Sequence, residues 1–392
     1  MTETVAELNQ AAKHALSTRD FAGARAALTR LVAQDKTNIA GWLNLAGVQR
    51  QLGNSEGALD ALREVLRIDP RNFPALLMTA TLFERNGDLK QAAAMYGIAL
   101  AQAPPIDKLD AATVQAITHA RSVHQKHTAE LNDFIRDNVA GVQSQCTSVE
   151  RKRIDKFIGT TLRLNKRFQQ DPTHYYYPGL PSIEFYEREE FPWLEEFEAS
   201  TEAIQKELAT ILREDEREFA PYIHYDDHQP LDQWRELNHS PRWTAFHFFE
   251  SGKPVDARCR RAPKTLQAIS RLPQAEVPLR SPAAFFSVLQ PRTRIPPHTG
   301  VANFRLVVHL PLILPSQCGF RVGSETREWR LGEAWVFDDT IEHEAWNDSD
   351  QTRVIFICDI WNPRLSEDER VAISQIIAAT DTFNNEQPTS SV

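Results

Sequence analysis

At 392 residues the chain exceeds what one hydrophobic core usually organises, roughly 250–300 residues, so two modules are expected. With 42% hydrophobic and 25% charged residues and only 15 Gly, it excludes the collagen-like, low-complexity and disordered classes. The formal net charge is −9, and residues 184 to 218, with 13 acidic and 4 basic side chains, carry as much by themselves. An acidic balance disfavours a phosphate backbone, so no nucleic-acid partner is expected; the run itself reads as the solvated face of one or two helices. No stretch reaches the 18 or so apolar residues of a membrane span, and the opening Met1-Thr-Glu-Thr-Val-Ala-Glu lacks the basic and apolar regions of a signal peptide. The expectation is a cytoplasmic protein with no membrane partner. Cysteines 146, 259, 318 and 358 stand singly, which argues against a disulfide framework or a cysteine zinc site.

From the N-terminus, similar residues recur at a period of 34: Trp42 and Leu76, Ala46 and Ala80, Gly53 and Gly87, Ala58 and Ala92, Pro70 and Pro104. An earlier copy fits in part, through Ala12, Ala24 and Asp35. Each unit reads as two amphipathic helices, with Gly at the turn between them and Pro just past the second. The small alanines let paired helices approach closely. Period and residue class resemble the tetratricopeptide repeat. One repeat cannot bury its own apolar face, so about three are stacked over residues 5 to 106, and 109 to 135 caps them. Such arrays form a concave groove, which suggests a peptide or protein partner; the plainer reading is an array that stabilises or dimerises the protein. The polar, Lys- and Arg-rich stretch 145 to 171 reads as a helix bridging two modules.

From about residue 280 the texture changes to short β-branched and aromatic runs: 285–289, 304–314, 320–322, 334–337 and 354–360. This spacing suggests a sandwich or barrel. Polar residues interrupt the runs where a simple core would exclude them. His298 lies in Pro-Pro-His-Thr-Gly; Arg305 and His309 are four apart on one strand and share a face; His343 follows Phe337-Asp338-Asp339. Arg353 opens a strand whose inward set is Arg353, Ile355, Ile357 and Asp359. Two imidazoles from separate strands beside open positions suit a non-haem iron, which leaves room for a 2-oxo acid and dioxygen. An Arg one strand over can grip a distal carboxylate with two prongs. By spacing alone, each histidine also reads as an ordinary core or surface residue.

Several stretches together resemble the aspartyl/asparaginyl β-hydroxylase family over roughly residues 175 to 365. They are His298-Thr-Gly-Val-Ala-Asn-Phe-Arg-Leu-Val-Val-His-Leu, Phe337-Asp-Asp-Thr-Ile-Glu-His-Glu-Ala-Trp, Arg353-Val-Ile-Phe-Ile-Cys-Asp-Ile-Trp and, upstream, Arg260-Arg-Ala-Pro-Lys-Thr. Members that modify polypeptides also carry tetratricopeptide repeats in front of this domain. The resemblance implies that His298 and His343 bind Fe(II), with Gly300 where most such enzymes have a third, carboxylate ligand. It further implies that Arg353 and Ser287 hold the distal carboxylate of the cosubstrate 2-oxoglutarate, that His309 lies near its metal-binding end, and that Trp243 lines the pocket. The family usually reads Arg-x-His where this chain has Val307-Val308-His309; Arg305, on the same face, is the residue expected to compensate, its bland alternative being an ion pair with Asp359 or Glu344. Asp338 and Asp339 read as a turn into the ligand strand, the rival reading being the missing iron carboxylate, and Trp329, Trp335, Trp346 and Trp361 as core or rim aromatics.

The expected fold is thus a multidomain α + β protein. An all-α tetratricopeptide array spans 1–140 and a helical linker 141–174. A double-stranded β-helix (jelly-roll) oxygenase domain with flanking helices follows over 175–368, then a C-terminal helix and polar tail over 369–392. The implied activity is hydroxylation of the β-carbon of Asp or Asn in a peptide gripped by the repeats, dependent on Fe(II), 2-oxoglutarate and dioxygen. The rival readings are the same chemistry on a lipid acyl chain or small molecule, and a catalytically dead adaptor.

Overall fold

A computed structural model describes residues 3–214, 218–226, 228 and 230–384. The chain divides into two compact units at Ile158/Gly159. That line lies inside the stretch read as a linker.

The first unit starts with six helices, α1 (Val5–Ser17), α2 (Phe21–Gln34), α3 (Ile39–Gln51), α4 (Ser55–Ile68), α5 (Phe73–Arg85) and α6 (Leu89–Leu100), packed in sequential pairs. An Asp or Asn side chain caps each helix from α2 to α6, accepting an N–H of the first turn: Asp20, Asn38, Asn54, Asn72 and Asp88. Gly53 and Gly87 take positive φ, 74° and 82°, at the turns inside two pairs. In the earliest pair the equivalent position is Arg19, which adopts the same left-handed conformation at φ 59° without glycine's freedom. That substitution is why the first copy is only partly legible. Ala24, Ala46, Ala58, Ala80 and Ala92 have no exposed surface, as close helix approach demands. The capping segment is one helix, α7 (Ala111–Gln143), longer than expected and burying only Ile117 and Ala120. After a break comes α8 (Ser148–Thr161). The helix read over 145 to 171 therefore stops ten residues early: Arg163 turns left-handed at φ 56°. From there the chain runs as an extended strap, with single bridges from Gln170 to Ile341, Tyr175 to Ala302 and Phe185 to Phe337.

In the second unit α9 (Leu194–Glu198) and α10 (Thr201–Glu214) carry much of the acidic run on their exposed faces while Leu194, Phe197, Ile204, Leu208 and Ile211 are buried. The strands that follow are β1 (Ala220–Pro221), β2 (Trp243–His247), β3 (Phe249–Glu250) and β4 (Lys253–Pro254). Two short helices, α11 (Asp256–Cys259) and α12 (Pro263–Ile269), precede the main strands. These are β5 (Ala284–Leu289), β6 (Thr293–His298), β7 (Arg305–Ile313), β8 (Cys318–Val322), β9 (Glu325–Arg327), β10 (Trp335–Phe337), β11 (His343–Asn347) and β12 (Arg353–Trp361). They form an antiparallel six-stranded sheet in the order β1-β2-β5-β12-β7-β10 and a four-stranded sheet in the order β6-β11-β8-β9. This is the jelly-roll arrangement. The period-2 alternation sorts the strands' side chains. Val354, Phe356, Cys358 and Ile360 of β12, with Leu306, Val308, Leu310 and Leu312 of β7, face α9, α10 and α12 in one core. Ile355 and Val307 face the other way, into a second core with Phe320, Val322, Phe337 and Trp335 between the sheets. Helix α13 (Glu367–Asn384) begins two residues before the expected position and packs through Ile373 and Ile377. The polar tail lies outside the described residues.

Candidate active site

Between the sheets lies a cavity of about 660 Å³. His298 is the last residue of β6 and His343 the first of β11, and the two are direct partners in the antiparallel register, their ring centroids 4.1 Å apart. Nδ1 of His298 is 2.7 Å from the carbonyl of Pro296, and Nδ1 of His343 is 3.1 Å from that of Ile341. A carbonyl only accepts, so both rings carry their proton on Nδ1 and present the Nε2 lone pair. Burial depresses the pKa of His298 to about 3 and of His343 to about 4, so both are neutral near pH 7. Two neutral imidazoles with Nδ1 fixed by carbonyls are the donor set that a borderline divalent metal takes.

Gly300 occupies the next turn. A Cβ built there would fall 2.1 Å from Oδ2 of Asp339, so the space of a side chain at 300 is already filled by a carboxylate from another segment. The two segments are tied there, Gly300 N–H donating to the Asp339 carbonyl at 2.7 Å. Of the two aspartates read as a turn, Asp338 fits that reading, accepting from Thr340 and Gln170. Asp339 lies in that turn too, and its side chain lines the cavity, with Oδ2 bound by Arg305 and Oδ1 unpartnered. Even so, no cluster of three His, Cys, Asp or Glu with metal-binding geometry exists among the described residues. Gly300→Ala is expected to destabilise the domain by about 1–3 kcal/mol through overpacking against Asp339, and Gly300→Asp by more, because it adds a second buried carboxylate. A denaturant melt of each variant measures this; unchanged midpoints would mean the carboxylate moves aside freely.

Arg353, the first residue of β12, is among the largest fully buried side chains, at 2% exposure. Among the described residues it has no carboxylate partner, and its Nε has no hydrogen bond. Burial lowers its pKa to about 10, which leaves it charged at neutral pH. Its guanidinium lies over the ring of Trp329, 5.0 Å from the centroid, and Trp329 is stacked with Trp335 and Phe320. An aromatic face stabilises a cation without neutralising it, so Trp329 is more than the core or rim aromatic read from the sequence. It lies 24 positions away from Arg353, and no local signal links the two.

Ser287, on β5, accepts from Trp243 Nε1 at 3.1 Å, which leaves its own O–H free to donate; both line the cavity, with Trp243 stacked on Tyr222 at 4.1 Å. His309, on β7, is buried with Nδ1 unpartnered, and burial holds its pKa well below the ordinary imidazole value. The structure thus brings all seven sequence-derived site residues to one cavity. Arg305 fits its alternative reading in part, as an ion pair with Asp359 and not with Glu344. Its guanidinium is engaged by Asp339 at 3.2 Å and Asp359 at 3.9 Å, while Glu344 pairs with Arg321. It is a cation already held by two carboxylates, in contrast to Arg353.

A jelly roll enclosing two register-paired histidines and an unpaired buried arginine defines the class of this unit. Residues 198–363 match the family model for Aspartyl/Asparaginyl beta-hydroxylase, and residues 9–73 match that for Tetratricopeptide repeat. The chain therefore carries an aspartyl/asparaginyl β-hydroxylase family domain preceded by tetratricopeptide repeats. It is 34% identical to human aspartyl/asparaginyl beta-hydroxylase over 147 residues, 37% of this chain but only 19% of that protein. It is 29% identical to human aspartate beta-hydroxylase domain-containing protein 2 over 259 residues, 64% of this chain and 68% of the relative. It is also 31% identical to the ornithine lipid ester-linked acyl 2-hydroxylase of Rhizobium tropici over 191 residues, 48% of this chain and 63% of that enzyme.

Proposed function

We propose that the C-terminal unit is an Fe(II)- and 2-oxoglutarate-dependent dioxygenase hydroxylating the β-carbon of Asp or Asn in a peptide, with the repeats gripping the peptide. The observation that carries this is the charged, unpaired Arg353 in the same cavity as two metal-ready imidazoles. A buried guanidinium without a counter-ion is costly unless an anion completes it. His298 and His343 would hold the metal, which when bound supplies activation of dioxygen. Arg353, with the free O–H of Ser287, fixes the distal carboxylate of the cosubstrate and so orients its 2-oxo acid end. Val307, Phe320 and Phe337 make the wall apolar and exclude water. The balance is one oxygen atom into the C–H bond, the other into succinate, with carbon dioxide released.

The Rhizobium relative's name gives a lipid acyl chain as the alternative substrate; the repeats favour a peptide. Mass spectrometry of host protein and lipid extracts, with and without the full-length protein, discriminates. A gain of one oxygen on Asp or Asn is expected; a gain on acyl chains alone would transfer the activity to lipids. We further expect that a fragment starting at Gly159, if a circular dichroism melt shows it folded, still forms succinate but has a raised Michaelis constant for the native peptide. Binding that acts equally on ground and transition states appears in that constant more than in turnover. Unchanged constants would make the repeats scaffolding.

A further inference from the structure

We infer that the cavity accepts an uncharged acceptor side chain, the amide of asparagine in preference to the carboxylate of aspartate. This rests on the proposed function and concerns the charges left around the cavity once metal and cosubstrate are held. Five carboxylate or guanidinium side chains line it: Arg305, Asp339, Glu342, Arg353 and Asp359. Glu342 accepts from Arg321 at 3.0 Å. Arg305 is held between Asp339 and Asp359, and Asp359 also accepts the Ala283 N–H at 2.8 Å. Arg353 is taken by the distal carboxylate. Fe(II) and the cosubstrate dianion offset each other in formal charge, and the two arginines offset the two aspartates.

No lining guanidinium then remains free for a substrate carboxylate. The strand position between Arg305 and His309 that faces the cavity is Val307, which offers only methyl groups. Tyr222, Tyr225, Gln233 and Thr173 add polar groups without formal charge, and the imidazole of His174 is engaged by the Thr173 hydroxyl at 2.9 Å. An aspartate entering this space would be desolvated without a partner and would meet Asp339 as a like charge. An asparagine reverses the sign of that meeting. Asp339 Oδ1 is buried without a hydrogen bond, and the amide nitrogen of asparagine supplies the donor it lacks. The site thus holds both a repulsive element against the acid and an attractive one for the amide, the pairing that specificity requires.

The test uses the full-length protein loaded with Mn(II) and N-oxalylglycine, an unreactive analogue of the cosubstrate. Paramagnetic broadening of β-protons is compared for two probes at equal concentration, N-acetyl-asparagine N-methylamide and N-acetyl-aspartate N-methylamide. The asparagine probe is expected to broaden about tenfold more or better, the scale of one uncompensated like-charge contact. Equal broadening, a preference for aspartate, or no effect with either probe overturns the inference. Water-proton relaxation reads Mn(II) binding separately: a protein that binds no Mn(II) sinks the oxygenase reading and this inference with it. In Val307→Arg, shown folded by circular dichroism, the added guanidinium is expected to move the ratio toward aspartate. An unchanged ratio there would remove charge as its cause.

Discussion

Replacing His298 or His343 by alanine is expected to abolish Fe(II) binding and all 2-oxoglutarate turnover. With no third ligand cluster among the described residues, a variant keeps only one imidazole. Its loss should go well beyond the roughly 10–100-fold change in affinity typical of an outer partner. The register adds a sharper expectation. The two histidines are cross-strand partners whose Nδ1 atoms are anchored on carbonyls two residues back, so each ring is aimed by its own strand end. Each single variant should therefore fold normally while failing to bind Mn(II) in titration calorimetry and to form succinate. Full succinate formation in both variants would place the metal elsewhere.

Arg353→Ala is expected to weaken 2-oxoglutarate binding by about 2–5 kcal/mol, some 30-fold to several thousand-fold, because the distal carboxylate is then buried unpaired. Arg353→Lys keeps the charge but loses the two-pronged contact and the planar face that lies on Trp329, and should be impaired as well. Stability should move the other way. Arg353 is a desolvated cation with no carboxylate partner among the described residues, so Arg353→Met should leave the unfolding midpoint unchanged or raise it. Weakened cosubstrate binding together with an undiminished melt separates an anion-binding residue from a structural one. An unchanged Michaelis constant for 2-oxoglutarate in Arg353→Ala would move the anchor to another residue.

Much of this protein is legible along the chain, for reasons that differ by region. The repeat period and the Gly turns depend on neighbours within one helical pair, and they mark the paired helices over residues 5 to 106. The alternation on β7 and β12 likewise assigns Arg305, His309, Arg353 and Asp359 to one face, because successive side chains must point to opposite sides of a strand. The strands β2, β6 and β11 are less legible: β6 contains two prolines, and β11 mixes His, Glu and Asn into a short run. The end of α8 depends on the left-handed turn at Arg163, which a helical composition does not announce.

By itself, then, the sequence determined the repeat array, five of the strands (β5, β7, β8, β10 and β12) and the set of polar residues that alternation on β7 and β12 turns inward. Tertiary structure alone decided how those residues spend their charge. Arg305 and Arg353 are alike in residue type, burial and strand setting. One is neutralised by Asp339 and Asp359, which arrive from a turn 34 residues on and from the neighbouring strand. The other has no carboxylate partner among the described residues and lies over the face of Trp329. It also decided that the space beside Gly300 belongs to Asp339. Local propensity and periodicity act between residues a few positions apart, whereas ion pairing and the filling of space are set by cross-strand register, which brings together groups far apart in the chain.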